Sequence, residues 1–241
     1  MSKVFIGVGH GGVDGGAVAN GYKEKDLNLS IALACCDVLT RHGVIVGMSR
    51  TKDENDTLNE EIKECNAFKP DYAIDIHNNA GGGDGVEIFY HFKGGTSKVY
   101  AENIINEVVK IGQNSRGIKT RVGANGRDYY GFIRETAAPA NIIECAFVDN
   151  AKDITIIDTA AEQKAMGEAI AKGILKTLGI SYSESKSTND YAESWAKTEI
   201  ERCIANKIMI GDGKGNFRPK DTVTREELAK VVCNILDNIN K

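Results

Sequence analysis

An α/β fold is what the 241-residue sequence predicts: a mostly parallel sheet flanked by helices, followed by a small mainly helical domain. Three observations carry this. Apolar runs of strand length alternate with segments of helical period. Glycine-rich loops follow the carboxyl ends of runs. A polar, serine-rich stretch separates these elements from two further helical patterns.

Residues 3–8 read as a first strand that ends in the glycine-rich loop 9–21. A helix is expected from about Asp26, which would cap it, with Leu27, Ile31, Ala34, Val38 and Leu39 as its apolar stripe. Arg41-His42-Gly43 is a stop signal, with cations in the last turn and glycine just beyond. Strands are expected at 44–48, 72–77, 85–92 and 141–148, and helices at 58–68, 97–111 and 160–178. The alternation favours right-handed crossovers and helices on both faces. Ligands in such folds gather at the carboxyl ends of strands, where His10 and His77 fall.

The expected domains are 1–178, a linker at 179–189, and 190–241. In the last, one helical pattern carries Trp195, Ile200 and Ile204, and a second carries Leu228, Val231, Val232 and Ile235. The turn 211–215 and Pro219 separate them. So small a core is marginal alone, so docking on the first domain or on another copy is expected.

The apolar fraction of 41%, charged fraction of 27% and net charge of −4 describe a globular chain with no electrostatic case for nucleic acid or an anionic membrane. No apolar run approaches about 18 residues, so no membrane insertion is expected. Residues 1–8 lead straight into Gly9-His10-Gly11-Gly12, which leaves no apolar core for a signal peptide. The six cysteines lack CxxC spacing and mostly sit in apolar stretches; they read as buried, reduced thiols.

Gly7-Val8-Gly9-His10-Gly11-Gly12 matches G-x-G-x-x-G after a strand, the mark of a dinucleotide site. Yet the motif should open a helix, and here a long loop with further glycines follows. The second strand runs into Ser49-Arg50-Thr51 rather than an acid; an arginine there would suit a 2′-phosphate.

Two histidines at strand ends plus a carboxylate form the ligand set of a catalytic zinc site that leaves a fourth position to water. His10, His77 and Glu24 are the candidates. Each has a plainer reading: a hydrogen-bonded histidine, or an acid favourable to a helix dipole. Asp75 shares a strand face with His77, where it would either orient the ring or stand as an acid at a sheet edge. Glu144 lies in the apolar strand 141–147; a carboxylate there is either salt-bridged, for instance to Arg134, or a general base beside a zinc-bound water. Arg134 would support Glu144 or contact substrate. His42 has a sufficient role at a helix end, and His91 reads as a half-exposed strand-end residue.

The motifs Gly9-His10-Gly11-Gly12, Gly21-Tyr22-Lys23-Glu24-Lys25-Asp26-Leu27-Asn28-Leu29, Asp75-Ile76-His77-Asn78-Asn79-Ala80, Gly85-Val86-Glu87, Ile133-Arg134-Glu135-Thr136 and Ile143-Glu144-Cys145-Ala146-Phe147-Val148-Asp149-Asn150 occur in this order. Together they resemble the zinc N-acetylmuramoyl-L-alanine amidases of the amidase 3 type over residues 1–178. The resemblance implies a six-stranded sheet, zinc held by His10, Glu24 and His77, catalysis by Glu144, and peptidoglycan as substrate. It also brings Asn78 in as a candidate substrate-contacting or supporting residue. The family usually has Asp-Pro before Gly-His; Gly7-Val8 stands here, which bears on loop geometry rather than on metal ligands. The overall look is closest to clostridial phage endolysins and related lytic amidases. This implies synthesis in the cytoplasm and action on the wall after release. A zinc peptidase acting on the stem peptide is the rival reading, since the same ligand set would serve it.

Trp195-Ala196, Ile208-Met209-Ile210-Gly211, Phe217-Arg218-Pro219 and Thr224-Arg225-Glu226-Glu227-Leu228 are similar to an S-layer homology module. Such modules bind secondary wall polymers and commonly work in threes. The single copy here leads to the expectation of a homo-oligomer. Asp212-x-Lys214-x-Asn216 is not a calcium loop, because a lysine stands where an oxygen ligand is needed.

Overall fold

The computed structural model describes residues 1–184, 190–191, 194–212 and 217–239. They fall into two compact units, Met1–Tyr182 and Ser183–Lys241. The first is built on β1 (Lys3–Val8), a short hairpin of β2 (Val18–Ala19) and β3 (Tyr22–Lys23), and α1 (Glu24–Arg41). Then follow β4 (Ile45–Met48), α2 (Leu58–Phe68), β5 (Tyr72–Asn79), β6 (Val86–Tyr90), α3 (Thr96–Val108), β7 (Ser115–Lys119), α4 (Gly131–Glu135), β8 (Ala140–Phe147) and α5 (Ala160–Thr177).

Six strands form one sheet in the order β4-β1-β5-β8-β6-β7. All neighbours pair in parallel except β6 with β8. The expected fold class and strand count therefore hold. The strands read as apolar runs because both faces are covered. Val4, Ile6 and Val8 of β1, Ile74 and Ile76 of β5, and Ile143 and Cys145 of β8 join the main core with α1, α3 and α5. The alternate residues Phe5, Ala73, Phe89 and Ile142 pack on the opposite face with Cys65 of α2 and Phe132 and Ile133 of α4. The register shifts between the pairs His77–Glu144 and Asn79–Phe147, a bulge at the carboxyl end of β5.

Three sequence readings are corrected. Helix α1 begins at Glu24, not at Asp26; Lys23 stands at the cap position without a side-chain cap, and Asp26 sits in the first turn. Strand β7 was not anticipated, because Ser115-Arg-Gly-Ile-Lys119 is a mostly polar edge strand. Of the cysteines, Cys35, Cys65 and Cys145 are buried, but Cys36 and Cys203 are half-buried and Cys233 is exposed. The stop at Arg41 holds as expected, with Gly43 at φ 77°.

The second unit contains α6 (Lys197–Ala205) and α7 (Arg225–Ile239). Thr224 and Glu227 exchange hydrogen bonds at the start of α7. Ile200 is buried, but Trp195 precedes α6 and is 96% exposed. Leu228, Val232 and Ile235 of the expected helical stripe are also exposed. Residues 185–189 of the expected linker and 213–216 of the turn lie outside the described residues.

Helix α5 meets α1 through Gly167. A Cβ there would collide with the Ile31 carbonyl, the Ala34 side chain and the Cys35 amide. Gly167→Ala should therefore lose about 1–2 kcal/mol, because overpacking outweighs the gain in helix propensity. Urea unfolding of the variant checks this; an increase in stability would contradict such close helix contact.

Candidate metal centre and active site

The carboxyl edges of β1 and β5 and the amino end of α1 meet at one point. His10 lies two residues beyond β1 at φ 63°, a left-handed conformation that costs a non-glycine residue on the order of 1 kcal/mol or more. The loop that carries it is stitched down by buried cations. Arg50, 2% exposed, donates to the carbonyls of Val8, Gly9, Lys25 and Lys52. Lys25 donates to the Gly12 carbonyl and to Asp53, which also accepts from the Gly12 amide. Arg50 is thus committed to backbone and offers nothing to a 2′-phosphate, which removes the nucleotide reading.

Glu24 is 4% exposed and is gripped from several directions. Oε2 accepts from the Ala17 amide at 2.9 Å, and Oε1 accepts from the Asn78 amide at 3.1 Å. His77 Nδ1 lies 3.0 Å from Oε1, and His10 Nε2 lies 3.3 Å from Oε2. The outer nitrogen of each ring also finds an acid: His10 Nδ1 reaches Asp14 Oδ2 at 2.8 Å, and His77 Nε2 reaches Asp75 Oδ2 at 3.1 Å. Asn78 is buried; its side chain donates to Asn28, which in turn donates to the Gly9 carbonyl. It thus supports Glu24 and the loop.

Hydrogen bonding to Glu24, and secondarily to Asp14, raises the His10 pKa above its usual range against the effect of burial. Burial works against a charged His77, yet Asp75 and Glu24 raise its pKa further. Burial also opposes a charged Glu24, but the two imidazoles hold its pKa well below the ordinary carboxylate range. One ligand atom from each of His10, Glu24 and His77 lies within 4.8 Å of the others. Two imidazole nitrogens and a carboxylate oxygen, each backed by a further hydrogen-bonding group, suit a zinc ion with an open fourth position.

Glu144 stands beside this group, paired with His77 across β5 and β8 on the same face. Among the described residues, none donates to its carboxylate, and Arg134 does not pair with it. Arg134 instead binds Glu135 at 2.7 Å and the carbonyls of Asp128 and Tyr129. Burial pushes Glu144 up to about 7; His77 opposes this, while Glu24, Asp75 and Glu87 add to it. A cavity of about 250 Å³ opens next to the group, lined by His10, Asp56, Glu61, Asp75, His77 and Tyr130 among others. His91 ends outside β6 and contacts Asp128 at 3.1 Å, and His42 closes α1; neither joins the site.

Residues 4–176 match the Amidase_3 family of N-acetylmuramoyl-L-alanine amidases. The chain belongs to this family. The amidase is 37% identical over 185 residues to the N-acetylmuramoyl-L-alanine amidase CwlM of Bacillus licheniformis, covering 75% of this chain and 70% of that protein. It is 33% identical over 190 residues to the endolysin of Bacillus phage SPP1, covering 75% and 68% respectively. Among solved structures it is similar to Cwp6 from Clostridium difficile, with 40% identity and a TM-score of 0.72. That likeness covers 73% of this chain but only 29% of Cwp6. The catalytic domain of CwlV from Bacillus (Paenibacillus) polymyxa is 29% identical with a TM-score of 0.67, covering 75% of this chain and all of that one. Residues 187–229 match the S-layer homology domain. The amidase is thus a peptidoglycan hydrolase with a wall-associated second module.

Sequence reading missed Asp14 and Glu61 at the site, and it gave Asn28, though within a recognised motif, no role of its own. Only Glu61 left a clear trace: it shares a helical face with Cys65 and Phe68, where an apolar residue belongs.

The raised pKa of Glu144 has a stability consequence. The folded chain keeps this proton up to about pH 7, whereas the unfolded chain releases it near 4.5. The folded state therefore binds more protons between these values, and stability falls as pH rises through the window. In metal-free protein, E144Q should be more stable than wild type by about 1–3 kcal/mol above pH 7, a gain that shrinks toward pH 4.5. Thermal unfolding across that range measures it.

Proposed function

We propose that this amidase is a zinc enzyme that hydrolyses the amide between N-acetylmuramic acid and L-alanine in peptidoglycan, with His10, Glu24 and His77 as metal ligands and Glu144 as the catalytic base and acid. One observation carries the reading: the three ligand atoms converge within 4.8 Å, and the unengaged Glu144 stands on the neighbouring strand. Zinc held there supplies a Lewis acid for the scissile carbonyl and a nucleophile near neutral pH.

The chain contributes orientation and proton transfer. Asp14 and Asp75 accept the outer N–H of the two imidazoles, which leaves His10 Nε2 and His77 Nδ1 as the inward-facing donors. Glu144 takes a proton from the attacking water and delivers it to the departing L-alanine nitrogen, as a C–O bond replaces the C–N bond. With no donor bound to its carboxylate among the described residues, it is free to carry that proton from one half of the exchange to the other. Arg134 is assigned to the loop before α4, which carries Tyr130 at the cavity, rather than to Glu144. The S-layer homology unit is assigned to retention at the wall through a secondary wall polymer.

Mass spectrometry of digested peptidoglycan should find free L-alanine amino termini on intact stem peptides; cleavage inside the peptide would make the enzyme a peptidase. Chelation should abolish turnover and zinc should restore it. Glu144→Ala should keep one equivalent of zinc and lose about 10²–10⁴-fold in kcat, the usual weight of a general acid–base group. Near-normal turnover in this variant would remove Glu144 from the mechanism.

A further inference from the structure

We propose that Glu61 is a positioning residue for the metal centre: its carboxyl group meets Asp75 above Gly7 and holds Asp75 against His77 Nε2. The proposal rests on the reading of His77 as a metal ligand. Glu61 projects from α2 onto the site face of the sheet and is 5% exposed, and Asp75 on β5 is 2% exposed. Both carboxyl groups occupy the space over Gly7, where a Cβ would collide with Glu61 and touch Asp75. Asp75 Oδ2 is satisfied by His77 at 3.1 Å. Its Oδ1 and the Glu61 Oε1 are buried with no hydrogen-bond partner among the described residues.

Among the described residues, no lysine or arginine forms a hydrogen bond or ion pair with either group. The other charges felt by Glu61 are Asp56, which is also acidic, and His77, whose Nε2 is spent on Asp75. Two contacting buried carboxylates cannot both be ionised, and one proton held between them satisfies both orphaned oxygens. Asp75 Oδ2 already accepts from His77, so the shared proton is placed on Glu61, in line with the upward push of burial on that carboxyl group. Its O–H then donates to Asp75 Oδ1, Asp75 Oδ2 accepts the His77 Nε2–H, and His77 Nδ1 keeps its lone pair for the metal. A neutral donor at position 61 is therefore required, and a charge is not.

The test uses the full chain as wild type, E61Q and E61L. Zinc affinity is measured by competition with a chromophoric chelator, and the infrared difference between wild type and E61Q is recorded at pH 7. Gln offers an amide N–H in place of the carboxyl O–H, so E61Q should bind one zinc as tightly as wild type. E61L should bind about 10–100-fold more weakly, the usual effect of losing a group that orients a ligand. The infrared difference should contain the carbonyl stretch of a protonated carboxylic acid, a readout that does not depend on E61L folding. Wild-type affinity in a folded E61L, or no such stretch, overturns the inference while the metal reading stands. Two zinc equivalents in wild type with one lost in E61Q would make the acid pair a cation site instead, and also overturn it. Failure of wild type to bind zinc at all would bring down the metal reading, and this inference with it.

Discussion

The Glu24 carboxylate ties the site together, because one imidazole from the loop after β1 and one from β5 approach its two oxygens. It can do so only if α1 starts at the right place over the sheet edge. That placement is not set by the site. It is set by the apolar packing of α1 against α5 and the sheet, through residues such as Leu27, Ile31 and Met166. The amino end of a helix also favours a negative charge, so Glu24 is held anionic by α1 as well as by its hydrogen bonds. The large core on one face of the sheet thus fixes a carboxylate at its edge, while the histidines and Glu144 come from the ends and the other face of the strands.

That other face is crowded, and the crowding explains a sequence pattern with two physical meanings. A Cβ at Gly9 would enter the His77 ring, just as one at Gly7 would enter the Glu61 carboxyl group. In a nucleotide site such glycines let phosphate approach the backbone. Here they make room for the His77 imidazole and a buried acid. A local pattern records that something comes close to the chain without recording what. The absence of a helix right after the motif and of an acid after the second strand weakened the nucleotide meaning, and the commitment of Arg50 to backbone carbonyls removed it.

Elements with a complete local signature were legible in the sequence. Helix α2 runs from Leu58 to Phe68 as its period requires, and β1 spans Lys3–Val8 as its apolar run requires. His10, Glu24 and His77 could be proposed because histidines are few and strand ends are where sites form, but the ordered motifs were needed to choose the ligand reading over plainer ones. What was illegible depends on tertiary context. The five-residue α4 is too short to show a period. Glu61 became meaningful only once Asp75 was placed across from it. The stripe on α7 was legible as a helix, yet its period could not say whether anything covers Leu228 and Val232, both of which are exposed.

The least legible strand bears on the electrostatics around Glu144. Glu144 lies opposite Glu87 in the antiparallel pair of β8 and β6, an arrangement that is unfavourable when both are ionised. Glu87 is neutralised by Arg116 at 2.6 Å and Lys119 at 2.5 Å, both on β7, and Asn79 donates to it as well. Burial raises the Glu87 pKa, but these cations bring it below the usual carboxylate range. The two basic residues serve Glu87 and not Glu144, so burial dominates the proton affinity of Glu144, with Glu24, Asp75 and Glu87 adding to it and His77 opposing it. Two facing carboxylates thereby take different protonation behaviour from their surroundings, the condition under which one can exchange protons near neutral pH while the other remains a fixed charge. A polar edge strand that contributes little to the core is in this way part of what sets the charges around Glu144.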